Sequence, residues 1–332
     1  MSTQQKPIGS GFDAASTTEE VIVGIDLSGK TAIVTGGYDG LGLETARILS
    51  SAGAKIIVPA RNLAKARSNT ANMPGIEIWE MDLLDADQID SFAERYLNTG
   101  KPLDILVNSA GIMGLPELTL DPRGFEMHFA TNHLGHFQLT QRLLPALRRA
   151  NGARVVSVAA WAHRHSVVHF EDLFFAHREY RPILGYAQSK TANILFAVEL
   201  DRRERENGVR AFSLHPGSIV TNLARNWSQA QLRAFGVIDE SGKPIIDPYT
   251  QRKTIQQGAA TQVWCATSPA LNDLGGVYCE NVEVAEIVPP EERTNFAADD
   301  SARKVGVMPF AIDPESARKL WLVSNDLLGL KT

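Results

Sequence analysis

The chain is short of cysteine, of clustered positive charge and of long apolar runs, and each shortage removes a class of function. Its two cysteines, Cys265 and Cys279, have no metal-ligand spacing. They read as small apolar residues of a reducing compartment, not as a disulfide framework or a zinc site. Lys and Arg total 33 against 38 Asp and Glu, a net charge of −5 at pH 7 with no basic block. Nucleic acid and anionic membrane are therefore poor partners. No apolar stretch reaches the length of a membrane span. Met1–Ala15 is polar and Gly/Ser-rich, with neither the basic start nor the apolar core of an export signal. A cytoplasmic protein is expected. What is present, 332 residues with 44% hydrophobic and 21% charged content, suits one soluble α/β domain with additions at its ends.

Residues 1–15 are expected to be loose. Thr17 and Glu20 have capping-box spacing, with a short helix to follow through Val21–Ile25. Lys30–Thr35 then forms an apolar strand, followed by Gly36-Gly37-Tyr38-Asp39-Gly40-Leu41-Gly42 and a helical run, Leu43–Ala52, ended by Gly53. Strand, Gly-rich turn and helix make the first half of a mononucleotide-binding unit, in which a pyrophosphate approaches backbone N–H groups at the helix N-terminus. A second strand, Lys55–Val58, leads into Pro59-Ala60-Arg61. A carboxylate at that strand end would bind the adenosine ribose hydroxyls; Ala60 has none, and the Arg61 guanidinium suits a ribose 2′-phosphate. Asp39 argues the other way unless it faces solvent.

A third strand, Ile76–Met81, ends at Asp82-Leu83, and a helix follows from about Asp87 to Tyr96. The fourth strand, Leu103–Val107, runs into Asn108-Ser109-Ala110-Gly111, small residues against which a flat ring or ribose can lie. A long helix from about Phe125 to Arg149 contains Asn132 in an apolar stripe, where a buried amide needs partners. Ala153–Ala159 is a fifth strand, Trp161–Arg181 is irregular, and Val209–Leu214 and Gly276–Glu280 complete the strands. Alternating strands and helices at this spacing give a doubly wound parallel sheet.

The stretch that gives this scaffold a chemistry is Tyr186-Ala187-Gln188-Ser189-Lys190, opening an apolar-periodic helical run. Tyr186 and Lys190 stand at i and i+4 and project from one face. A phenol titrates near pH 10 in water; a neighbouring ammonium favours the phenolate and makes the pair a tuned general acid or base.

Together these motifs resemble the short-chain dehydrogenase/reductase family from about Lys30 to Glu280. Thr35-Gly36-x-x-x-Gly40-x-Gly42 is similar to its cofactor loop and Asn108-Ser109-Ala110-Gly111 to its Asn-Asn-Ala-Gly motif. Asn132 falls at its catalytic asparagine, Tyr186 and Lys190 at its catalytic pair, and Pro216-Gly217 with Thr221 at the segment that holds the nicotinamide carboxamide. The surroundings of Ala60-Arg61, Asn132 and Lys190 resemble the branch containing retinol dehydrogenases and WW-domain oxidoreductases. The resemblance implies a Rossmann-type sheet of seven strands in the order 3-2-1-4-5-6-7, and NADP(H) in preference to NAD(H). It also implies a small-molecule substrate and homo-oligomerisation through the helices carrying Asn132 and Tyr186. Gly36, Tyr38, Asp39, Gly40, Leu41 and Gly42 would shape the pyrophosphate turn, with Arg61 at the ribose and Asp82 and Leu83 beside the adenine. Asn108, Ala110 and Gly111 would lie along the cofactor, Ile219 and Thr221 would reach its carboxamide, and Asn132 would anchor a water passing protons towards Lys190. Activity would be interconversion of an alcohol and a ketone or aldehyde.

One position departs from the pattern. Val156-Ser157-Val158-Ala159-Ala160 places Ala160 where the family has a catalytic serine, a donor to the substrate oxygen. Ser157 lies on the opposite strand face; His163, His165 and Ser166 follow in the loop as the polar groups on hand. A cofactor-binding protein with impaired or no turnover, natural or engineered, and a reductase of C=N or C=C bonds both stay open. Ser218–Tyr249, with Trp227, Leu232, Phe235 and Val237, sits where the family keeps its substrate lid and suggests a lipophilic substrate. Residues 1–26 form an N-terminal extension, 27–281 the catalytic domain and 282–332 a C-terminal extension. In the last, Pro289-Pro290 marks a loop, and a helix begins at Asp313-Pro314-Glu315 with Leu320, Leu322 and Leu327 facing inward.

Overall fold

The computed structural model describes residues 5–289 and 305–330. A short helix, α1 (Thr18–Val21), is closed by reciprocal bonds between Thr17 and Glu20. The first half then alternates β1 (Thr31–Val34), α2 (Gly40–Ser51), β2 (Lys55–Ala60), α3 (Leu63–Thr70), β3 (Ile76–Glu80), α4 (Ala86–Leu97) and β4 (Ile105–Asn108). The second half comprises α5 (Met127–Phe129), α6 (Gly135–Ala150), β5 (Ala153–Val158), α7 (Pro182–Glu204), β6 (Val209–His215), α8 (Gln229–Ala234), α9 (Ile255–Thr267), β7 (Val277–Glu280), β8 (Glu283–Val284) and α10 (Pro314–Leu327).

All eight strands join one sheet in the order β3-β2-β1-β4-β5-β6-β7-β8. The first seven pair in parallel. The eighth, two residues turned back antiparallel on β7, is an edge that the sequence pattern does not announce. Strands β1 and β4 to β7 are buried along almost their whole length, as expected of a parallel sheet covered on both faces. Ala46, Ile48 and Leu49 of α2 and Val263, Trp264 and Cys265 of α9 pack on one face. Ile89 and Phe92 of α4, Phe137 and Leu143 of α6 and Phe196 and Leu200 of α7 pack on the other. Strand order reverses between β1 and β4, which opens a crevice at the carboxyl ends of the strands.

Two helices depart from their expected form. The run read as one helix from Phe125 is interrupted by a π-helical turn, Ala130–Leu134, between α5 and α6. Helix α7 begins a turn before Tyr186, because extended Arg181 and Pro182 at the first position start it there. The terminal extensions are tied down where they are described. Gln5 donates to the carbonyls of Tyr278 and Ala285, and the Glu283 carboxylate accepts from Ile8 and Ser10 N–H, so residues 5–15 are less loose than expected. Residues 1–4 and Pro290 lie outside the described residues. Helix α10 lies over α6 and α7: Trp321 meets the rings of Phe137 and Phe196, and Ser324 Oγ is 2.8 Å from His133 Nε2. Leu322, expected inward, is 52% exposed, because the 3.6-residue period turns Ala317, Leu320, Trp321 and Ser324 to the core instead. The helices named above for association are thus covered here by the chain's own C-terminus.

Candidate active site

A cavity of about 690 Å³ follows the crevice from Arg61 and Lys65 at one end to Trp161, Ile183 and Phe235 at the other. Its first half is built mainly by backbone. Gly36 has φ +67°, and a Cβ added there would lie 3.1 Å from Ala110 Cα. One added at Gly42 would lie 2.4 Å from the Gly36 carbonyl oxygen, so the turn closes only with glycine. Thr35, Tyr38, Asp39, Gly40 and Leu41 complete this wall, with Asp82, Leu83, Ala110 and Gly111 opposite. Helix α2 starts at Gly40, and Asp39 does not cap it with its side chain. Gly40 N–H is taken by the Asp39 carboxylate; the N–H groups after it, and the positive end of the helix dipole, are left for an anion. A pyrophosphate fits this cradle.

Asp39 is held by Lys65 and by Asn222 Nδ2, the latter at 3.0 and 2.8 Å. Burial opposes its charge, but Lys65 and Asn222 outweigh that and hold its carboxyl below the usual value. Ala60 is buried at the end of β2. Lys65, absent from the expected site, brings a second cation to the Arg61 end; its place in the first turn of α3 was the available sign.

The hydroxyl of Thr35 joins this half to the next. It accepts from Ser109 N and Ala110 N at 2.9 and 3.0 Å and lies 2.8 Å from His136 Nε2. His136 Nδ1 is 3.0 Å from the Asn132 carbonyl oxygen, which can only accept, so Nδ1 carries the proton and Nε2 accepts from Thr35. Burial pushes His136 down to about 4 and keeps it neutral. Asn132 does not border the cavity. Its Oδ1 accepts from Ile112 N at 2.9 Å, and its Nδ2 donates to Ile112 O at 3.1 Å and Ser189 Oγ at 3.0 Å. The amide thus clamps the loop after β4 to α7, with both Nδ2 hydrogens used. Asn108 also turns away from the cavity, donating to Thr140 Oγ1 at 3.2 Å.

Tyr186 and Lys190 line the cavity from α7, with Lys190 Nζ 5.6 Å from the phenol ring centroid and donating to Val158 O at 2.8 Å. The expected lowering of the phenol does not appear. Burial raises Tyr186 above its ordinary value and pushes Lys190 down to about 7, so desolvation outweighs the pairing. Ala160 sits against Tyr186, Met113 and Ile183. Of the polar groups after it, Ser166 donates to Val167 O, and His163 is buried between Ala160 O and Met308 N, at 2.8 and 3.2 Å. His165 borders the cavity, stacked edge-on against Trp161 at 5.1 Å.

The family model for short chain dehydrogenase matches residues 30–232. The chain belongs to the short-chain dehydrogenase family. It is 42% identical to a Streptomyces lividans protein named as an oxidoreductase, over 92% of this chain and 99% of that one. It is 35% identical to human retinol dehydrogenase 11, over 92% and 88% respectively; WW domain-containing oxidoreductases are similar too. A solved structure of an uncharacterized Mycobacterium Paratuberculosis protein, 31% identical, superposes with a TM-score of 0.69 over 94% of this chain and 97% of that one.

The far half of the cavity in this short-chain dehydrogenase is made by side chains. Pro216, Gly217, Ile219 and Thr221 border it after β6, and Trp227, Leu232, Phe235 and Val237 roof it. The Trp227 and Phe235 rings stand 4.5 Å apart, and Asn226 Nδ2 donates to Met113 O across the mouth at 3.1 Å. Gln251 and Arg252, missed from the sequence, close the floor after a long irregular loop. No helix among the described residues is long and apolar enough to cross a membrane.

Proposed function

We propose that the chain is an NADP(H)-dependent oxidoreductase interconverting an alcohol with a ketone or aldehyde on a lipophilic small molecule. The observation that carries the reading is one cavity bordered by both a glycine cradle and the Tyr186–Lys190 pair. The cradle, with Thr35, Ala110, Ile219 and Thr221, would hold the dinucleotide, which supplies or accepts a hydride when bound. Tyr186 gives its phenolic proton to the substrate oxygen in reduction and takes one back in oxidation. Lys190 sits one turn away to hold the ribose and, when charged, to favour the phenolate. The 2′-phosphate preference rests on Arg61, with Ala60 offering no carboxylate and the Asp39 charge offset by its pairing with Lys65. The apolar roof supports a lipophilic substrate.

A second reading, cofactor binding with little turnover, is favoured by Ala160. The test is NADPH and NADH oxidation over a panel of lipophilic ketones and aldehydes by the parent and by Ala160→Ser. A gain on the order of 10²-fold in the serine variant, the worth of one oxyanion donor, marks a carbonyl reductase missing that donor. Turnover by the parent without a gain assigns the donor's role elsewhere. NADPH binding with turnover by neither protein favours the second reading.

A further inference from the structure

Carboxylates are missing from the far half of the cavity. Among the described residues that border the cavity, the acids are Asp39 and Asp82, both in the dinucleotide half, and Asp39 is paired with Lys65. The half roofed by Phe235 is bordered instead by Arg225, Arg252 and His165, besides Lys190. Burial, then Arg181 and Arg164, hold His165 below its ordinary value, so positive charge already faces that wall. A cavity with an apolar roof and cationic walls is complementary to a lipophilic anion.

Arg252 is the cation that the backbone fixes most closely. Its N–H donates to Asp247 O at 3.0 Å, and Asp247 N donates back to Arg252 O at 2.8 Å. On the other side its two neighbours hold Ser218, which donates to Gln251 O at 2.6 Å and accepts from Lys253 N at 3.2 Å. Ser218 directly follows Pro216 and Gly217 along the same cavity wall. The guanidinium lies against the turn at Gly236, where an added Cβ would stand 2.9 Å from Nη2; glycine, at φ +63°, leaves it room.

The hydrogen bonds of this guanidinium are incomplete. Nη1 donates to Thr250 Oγ1 at 3.1 Å, Nε is buried without a partner, and no carboxylate among the described residues pairs with it. Elsewhere in the chain Arg142, Arg148, Arg202 and Arg210 each hold a carboxylate in a fork of Nε and Nη2, at 2.7–3.0 Å. In Arg252 the same two nitrogens are the ones left over. A partly buried guanidinium is costly unpaired, and its planar fork matches a carboxylate. We propose that Arg252 binds a substrate carboxylate through this fork, so that the substrate is a lipophilic carbonyl compound, or its alcohol, bearing an acid group away from the reacting carbon. The anion site stands on the cavity and Arg252; its part in substrate choice rests on the function proposed above.

Calorimetric titration with decanoate and with decanol, NADPH being present to fill the Arg61 half, reads the site without turnover. The parent should bind decanoate about tenfold or more tightly than decanol, as a charge-assisted fork predicts, and the margin should shrink as salt rises. Arg252→Gln should bring decanoate to the level of decanol. Arg252→Lys, which keeps the charge and loses the fork, should fall between the two. Equal binding of acid and alcohol by the parent overturns the site, and so does a full margin surviving in Arg252→Gln. Should that variant fail to fold, a full margin in Arg252→Lys overturns the fork by the same measure. In turnover, a long-chain oxo acid should show a KM about tenfold below that of its methyl ester, and Arg252→Gln should erase the difference. Equal KM values in the parent overturn the substrate assignment. Absence of carbonyl turnover in the parent overturns the oxidoreductase reading, while the decanoate titration still decides the anion site.

Discussion

The two halves of the cavity are built differently. The Arg61 end uses backbone: a turn that only glycine can close and a helix N-terminus, from residues close together in the chain. The Tyr186 end uses side chains from β5, α7, the roof loop and the segment around Gln251, brought together only by folding. A backbone-built site survives most side-chain changes, since its contacts are main-chain N–H groups. A side-chain-built site changes with one substitution, as Ala160 illustrates.

The sharpest way to separate the halves is Tyr186→Phe. It should lower kcat by about 10³-fold, within the range for a positioned acid–base group, while NADPH binding measured by fluorescence stays at the parent value. Equal loss of both would show that the halves are not separable. Next comes Trp321→Ala on α10, which uncovers Phe137 and Phe196 behind the Tyr186 end. A loss of about 3–5 kcal/mol is expected from removing a buried indole, read as a lower midpoint in urea. Gel filtration of the parent should give a monomer, α10 covering the helices on which association was expected; a dimer formed only by the variant would mark the uncovered face.

Arg61→Ala probes the other end. Loss of a charge-assisted bond to phosphate should weaken NADPH by roughly tenfold or more and leave NADH unchanged, by titration of each cofactor. Equal weakening of both would move the 2′-phosphate contact elsewhere.

A further effect is on pH. Burial lowers His133 and His163 to about 3 and His136 to about 4, from an ordinary 6.5. Below pH 6.5 the unfolded chain gains protons that the folded chain refuses, so stability falls as pH drops from 6.5 towards 4. His133 lies beneath α10, His136 behind Thr35 and His163 behind Ala160. The melting temperature should therefore decline over that range, and His163→Gln should flatten the slope; an unaltered slope would place the proton uptake elsewhere.

The alternation of strands and helices and the glycine cradle were readable from the chain because they depend on local periodicity and on main-chain sterics, whereas the strand order came with the family resemblance. The i and i+4 spacing likewise places Tyr186 and Lys190 on one face without any knowledge of neighbours. Where the reading went astray, a long-range partner had intervened. Asn108 turned to Thr140 instead of the cavity, Trp321 and not Leu322 filled the groove between α6 and α7, and burial moved Tyr186 and Lys190 opposite to what their pairing alone suggests.

What the sequence determined by itself was the family, the sheet and the residue types at the chemical centre, since each is written in contiguous segments. What only the tertiary structure decided was how charge and hydrogen bonds are distributed. Asp39 is paired with the Lys65 ammonium and bonded by Asn222, and Asn132 clamps the loop after β4 to α7. The reason is physical: desolvation and hydrogen-bond satisfaction depend on what lies within a few ångströms in space, and spacing along the chain does not carry that information.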